Sequence, residues 1–154
     1  MGITTESSLA VKLAEGTGAA GQYLSARQGV ARLYPVGFSF TQGAAAGDIA
    51  SLQRLCKLPG GQIKVIGIYF AGSVFGAART ISVGYEAHTT IAGATVAASV
   101  NAFTSAVDVS GATAAYTALN VDLDSPSGIV VTAKVAGGTI PAAATINGYF
   151  LVSA

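Results

Sequence analysis

His88 is the only histidine of this 154-residue chain, and it stands two residues from Glu86 and next to Thr89. A histidine near a carboxylate, in a chain rich in Ser and Thr, is the raw material of a nucleophile, base and acid trio, but the base must be held by a third group inside a formed pocket. So many Ser and Thr residues supply such trios by chance, and His88 reads first as a loop or strand-end histidine. Asn120, Asp122 and Asp124 share one face of an extended strand and end at the turn Ser125-Pro126-Ser127-Gly128. Oxygen ligands grouped this way suit calcium, which takes roughly six to eight of them. Unless loop carbonyls or Asp108 complete the set, the three read as a solvated strand face. Residues Gly16 to Gly21 spell G-T-G-A-A-G, the dinucleotide-binding spacing. That motif works only between a buried strand and a helix whose N-terminus meets the phosphates. Lys12 and Glu15 before it, and Tyr23 to Arg32 after it, offer neither. Cys56 is the sole cysteine, which excludes an internal disulfide and a cysteine-based zinc site. With no activating neighbour, it reads as a small core or interface hydrophobe. No catalytic, cofactor-binding or metal-ligating residue is assigned, and neither a cofactor nor an enzyme activity is expected.

The elements that must hold these residues are set by a composition poor in charge. Hydrophobic residues make up 51% and charged residues 10%, where soluble proteins carry about 25% charged. Something other than water is expected to cover part of the surface. A spanning helix needs about 20 apolar residues, and the longest uncharged apolar window, Val65 to Ala78, is shorter and broken by Gly and Ser, so a membrane is rejected. Burial against other subunits is the remaining expectation. The net charge of +1 argues against a nucleic-acid-binding surface. Charge is nevertheless uneven, about +4 over residues 1 to 80 and −3 over residues 81 to 154, a polarity suited to docking one end on an acidic partner. The first residues lack a secretory pattern, and Glu6 stands where myristoylation wants Ser or Thr. Cytosolic synthesis is the expectation.

One domain fits this length. Residues 1–28, small, polar and crowded with glycine between Gly16 and Gly21, predict an N-terminal arm, and residues 29–154 predict an all-β antiparallel sandwich. Arg32 to Thr41 alternates with Val36, Phe38 and Phe40 inward, and Pro35 places it at an edge or a bend. Asp48 to Leu58 admits a helix capped by Asp48 and stopped by Pro59, or a strand from Leu52 to Leu58. The strand, paired through the Pro59-Gly60-Gly61 turn with Gln62 to Phe70, is preferred. Gln62 to Tyr85 is the apolar centre. By strict alternation Ile63, Val65 and Tyr69 share one face and Ile66, Ile68 and Phe70 the other. Both faces are then apolar, and a second sheet must cover one and another element, or another subunit, the other. Arg79 to Glu86 follows with Ile81, Val83 and Tyr85 on one side. Ala87 to Ser110 reads as short strands and loops. Cleaner strands come last: Tyr116 to Leu123, Ile129 to Val135 and Thr145 to Ser153. Phe38, Phe40, Tyr69, Phe70, Phe75, Tyr85 and Phe150 are expected in the core, and Tyr23, Tyr34 and Tyr116 are free to make contacts. Seven or eight short strands with Gly, Pro and Ser turns give an antiparallel sandwich.

Leu58-Pro59-Gly60-Gly61-Gln62-Ile63-Lys64-Val65-Ile66, followed by Ala78-Arg79-Thr80-Ile81-Ser82-Val83-Gly84-Tyr85, resembles small jelly-roll proteins of tailed-bacteriophage virions. In those, an L-P-x-G turn leads into a buried strand and an x-T-I-x-[VI]-G strand follows. The resemblance covers mainly residues 50 to 90 and is to head decoration, or cement, proteins. It implies a homotrimer on the capsid surface of a virion, bound to the major capsid protein from outside, with the N-terminal arm making contacts. It implies no catalytic residue. Similar jelly rolls serve as fibre modules that bind a glycan or host receptor, which is the alternative function.

Overall fold

Alternation of apolar and small polar residues with a period of two, broken by Gly, Pro and Ser, leaves the chain little choice but strands. A computed structural model describes residues 33–47 and 52–153. The expected arm, the glycine pattern at Gly16 to Gly21, Tyr23 and the Asp48 helix cap lie outside these described residues. The strands are β1 (Leu33–Thr41), β2 (Leu52–Leu58), β3 (Gly61–Gly72), β4 (Thr80–Tyr85), β5 (His88–Thr89), β6 (Thr95–Val96), β7 (Ser99–Asp108), β8 (Thr113–Ser125), β9 (Ile129–Ala136) and β10 (Thr145–Ser153). No helix among the described residues is long and apolar enough to cross a membrane.

Two four-stranded sheets form, in the orders β1-β10-β3-β8 and β2-β9-β4-β7, and β5 and β6 make a separate hairpin. Every pairing within the two sheets is antiparallel. From β1 to β4 the chain crosses to the other sheet at β2, returns at β3 and crosses again at β4, and the later strands slot in between. That interleaving defines a jelly roll. The expected all-β antiparallel sandwich is therefore the observed architecture. Pro35 lies on the edge strand β1, whose Tyr34, Val36, Phe38 and Phe40 face the core. β8, β9 and β10 keep the alternation read from their sequences, and β10 spans Thr145 to Ser153 as expected.

Three expectations are corrected. β2 is a strand, but it pairs with β9 and not with β3. β3 is central, with β10 on one edge and β8 on the other, so no edge remains for β2. Second, β3 is not apolar on both faces. Against β10 its register slips between Val65 and Gly67, so Ile66 is an extra residue there that reverses the phase of the strand, while against β8 the same two residues face a stretch of β8 that is one residue longer. Ile63 and Val65 before the bulge and Ile68 and Phe70 after it all enter the same core, and Tyr69 turns outward. Third, Ser99 to Asp108 is a ten-residue strand where short strands and loops were expected. Its two register shifts against β4 and the positive φ of Ala106 erase the alternation that would reveal it. A further slip lies between Arg54 and Cys56 in β2, where Leu55 and Leu58 are the inward residues and Arg54 is exposed.

The core is one apolar cluster between the sheets. An aromatic string crosses it from the β1 edge to β4. Phe38 meets Phe150 at 5.6 Å, Phe150 meets Phe103 at 5.0 Å and Phe103 meets Tyr85 at 5.9 Å, mostly edge to face. The middle contact joins β10 of one sheet to β7 of the other. One end of the sandwich is closed by Phe75, fully buried, whose N–H donates to the Val109 carbonyl at 2.9 Å.

Candidate functional site

Pairing register places side chains on the outward faces row by row. On the β1-β10-β3-β8 sheet, one row across the strands is Gly37, Tyr149, Tyr69 and Tyr116. The row on one side is Pro35, Leu151, Gly67 and Ala118, and on the other Ser39, Asn147, Ala71 and Ala114. Three tyrosines thus stand side by side on three adjacent strands, although they are 33 and 47 or more residues apart in the chain. Tyr149 and Tyr116 are 39% and 54% exposed. Tyr69 and Tyr149 stack with centroids 5.4 Å apart and 22° between planes, so each offers an edge and a hydroxyl outward more than a free ring face. The Tyr116 ring lies over Gly67, where a β-carbon would collide with it. That is why glycine is found there.

Charge on this face is confined to one end. Lys64 and Asp122 form a pair at 3.6 Å in a row near one end, with Asp124 beyond it. The opposite sheet is different: Arg54, Lys57 and Lys134 are exposed on it. Arg54 grips Glu86 in a two-pronged pair, Nε to Oε1 at 2.6 Å and Nη2 to Oε2 at 3.0 Å, and that partner raises the arginine's pKa. Each outer face carries charged strand residues, but on the tyrosine face they gather at one end and leave the tyrosine row and its adjoining rows uncharged.

Among the described residues, those that the sequence offered for chemistry are not brought together into a site. His88 opens the β5 hairpin strand with its Nδ1 3.4 Å from the Glu86 carbonyl and its ring edge-on to Tyr85 at 5.2 Å. The Glu86 carboxylate is turned to Arg54 instead, and no serine or threonine hydroxyl among the described residues bonds to His88. Asn120, Asp122 and Asp124 do share the outward face of β8, but Asp122 pairs with Lys64. Among the described residues no cluster of three His, Cys, Asp or Glu side chains is placed to hold a metal. Asp108 accepts the Ser110 N–H at 2.8 Å in a local turn, away from the other acids of β8. That bond from the backbone, with a further one from the Ser110 side chain, lowers its pKa.

Cys56 is half-buried and packs against the core. Desolvation pushes its thiol up to about 12. The thiolate is the reactive form, so at pH 8 the native protein is expected to react with a disulfide reagent at least about tenfold more slowly than the same protein in denaturant, the usual thiol pKa being about 8.5. A stopped-flow comparison of the two rates checks this, and equal rates would contradict the burial.

Two aromatic assignments are also revised. Tyr34 is an inward residue of β1 packed against the core, whereas Tyr69 leaves the core for the outer face because of the Ile66 bulge. Tyr116 is exposed as expected. The row was hidden because its members are joined only by register between strands distant in sequence. A clue lies in the alternation of β10, which sets Tyr149 on the face opposite Ile146, Phe150 and Val152.

No family model matches the sequence, and no curated protein matches it. In fold, the chain is similar to a chain of the cyanophage Pam1 capsid asymmetric unit, with TM-score 0.58 and 18% identity over 89% of this chain and 96% of that one. It is likewise similar to a chain of the capsid of Ralstonia phage GP4, with TM-score 0.57 and 18% identity over 86% and 92% of the two chains. At such identity the likeness is one of fold: a jelly-roll sandwich of the size found as separate chains in these two phage capsid structures.

Proposed function

We propose that this protein is a structural component of a phage virion, which binds the outside of the capsid shell as a homotrimer and stabilises it as a decoration, or cement, protein. The observation that carries the reading is the whole-chain likeness of the fold to chains in two phage capsid structures. The uncharged tyrosine region of one outer face supports a role in assembly, since exposed apolar patches mark contact surfaces. The low overall charge points the same way. The major capsid protein is the proposed partner, and residues 1–28 are proposed as an arm that contacts it.

The test is co-sedimentation with shells assembled from the major capsid protein of the same virion and lacking any decoration. The full chain is expected to pellet with the shells and to raise their thermal stability. A variant lacking residues 2 to 27 is expected to keep the β-sheet circular dichroism spectrum and to lose at least about 90% of the binding. Full binding without the arm would overturn the arm's role, and no binding by the intact chain would overturn the decoration function itself.

A further inference from the structure

We infer that the tyrosine face of the β1-β10-β3-β8 sheet is where this chain packs against a second copy of itself. The inference rests on the homo-oligomeric part of the function proposed above and makes its elementary contact a self-complementary pair, which closes on a two-fold axis. An assembly of two copies in the test below would replace the trimer by a dimer. Its shape is self-complementary. Tyr149 and Tyr69 stack into a ridge on two strands, Tyr116 leans from the third over Gly67, and the adjoining row, which keeps Asn147 on β10 but has only Ala71 and Ala114 on β3 and β8, lies lower there by most of a side chain. Gly37 continues the ridge row on β1 with no side chain at all. A ridge beside a step on a flat sheet is what two copies of one surface need to set each ridge into the other's step.

Size agrees. Nine-residue strands span about 30 Å, and four strands at about 4.8 Å cover about 19 Å, so the face measures roughly 570 Å². Two copies would bury roughly 1,100 Å², just above the ~1,000 Å² at which an interface becomes specific. Desolvation opposes little of this, because the charged groups of the face, the Lys64 and Asp122 pair and Asp124, lie towards one end and can stay in water. Tyrosine hydroxyls at the rim of each ridge can bond across the contact, consistent with the enrichment of tyrosine in interface centres. A glycan fits less well, since stacking on a sugar needs a free ring face and Tyr69 and Tyr149 lie against each other.

Sedimentation velocity on the full chain tests it with two variants. The triple variant Y69S/Y116S/Y149S removes the ridge. Ala114→Lys leaves the ridge and places a charge on the step, at a position already exposed in the single chain. The wild type is expected to sediment as an assembly, and both variants as monomers with unchanged circular dichroism, their self-association weakened at least about 100-fold. An assembled wild type whose two variants keep its mass would overturn this surface and leave the oligomer standing. A monomeric wild type that still binds capsid shells would overturn self-association and leave the virion function standing. Variants that keep the assembly but lose shell binding would transfer the face to the capsid protein and overturn the inference.

Discussion

Replacing Phe150 by alanine is expected to cost about 3–5 kcal/mol, a large share of the roughly 5–15 kcal/mol that holds a domain folded. Phe150 is fully buried on β10, the strand between β1 and β3. Its ring touches Phe38 on one side and Phe103 of the opposite sheet on the other. Removing it leaves a cavity between the sheets, and neighbours anchored in paired strands cannot collapse into it. The midpoint of thermal unfolding should fall by roughly 10–20 °C. Tyr149, one residue earlier on the same strand, faces outward, and Tyr149→Ala should shift the midpoint of the isolated monomer by only a few degrees. The two variants form an internal control for register, because a slip of one residue in β10 would exchange their effects. Comparable losses for both, measured by calorimetry, would contradict the register described.

The same alternation explains how much of this fold could be read beforehand. β1, β4, β8, β9 and β10 were legible because each keeps one phase over its inward positions, as Ile146, Phe150 and Val152 do on β10. The sandwich follows from them, since every such strand needs a second apolar face to pack on. β3 was legible as a strand and misread in its faces. The chemistry of Ile63 to Phe70 is the same whichever way each side chain points, and the bulge at Ile66 is fixed by partners some 50 to 85 residues downstream. The pairing of β2 failed for a related reason: proximity in sequence favours a hairpin, but the edges of β3 belong to strands that come much later. The tyrosine row depends on both of these non-local facts. Tyr149 could be placed by its own strand, while Tyr69 needed the bulge and Tyr116 needed the β3-β8 register to join it. Chemistry that depends on side-chain type alone, such as the exclusion of a disulfide by a single cysteine, needed no fold at all.

Gly84→Ala is expected to be nearly as damaging as the loss of Phe150, although it adds only a methyl group. Gly84 is buried on β4, opposite Thr132 of β9. On its other side the pairing with β7 moves from Val83 and Thr104 to Tyr85 and Ser99, so two steps along β4 correspond to five along β7. The surplus residues of β7 crowd against Gly84. A β-carbon there would collide with the Ser99 carbonyl oxygen and stand 2.6 Å from the carbonyl carbon of Val100. These are backbone atoms, which cannot rotate away as a side-chain end can, so β7 must be displaced. That surplus also carries Phe103 into the core, 5.0 Å from Phe150. Moving β7 therefore disturbs the contact that ties the two sheets together. A loss of about 3 kcal/mol is expected, at the upper end of overpacking effects, read as a lower urea midpoint with an unchanged slope. Gly111→Ala is the matched control. Nothing lies within 4 Å of its added carbon, and its stability should stay within about 0.5 kcal/mol of the parent. If Gly84→Ala were as stable as Gly111→Ala, β7 would not press on β4 at this point. Phe103 would then be held in the core by packing alone and not by the path that Gly84 leaves open for its strand.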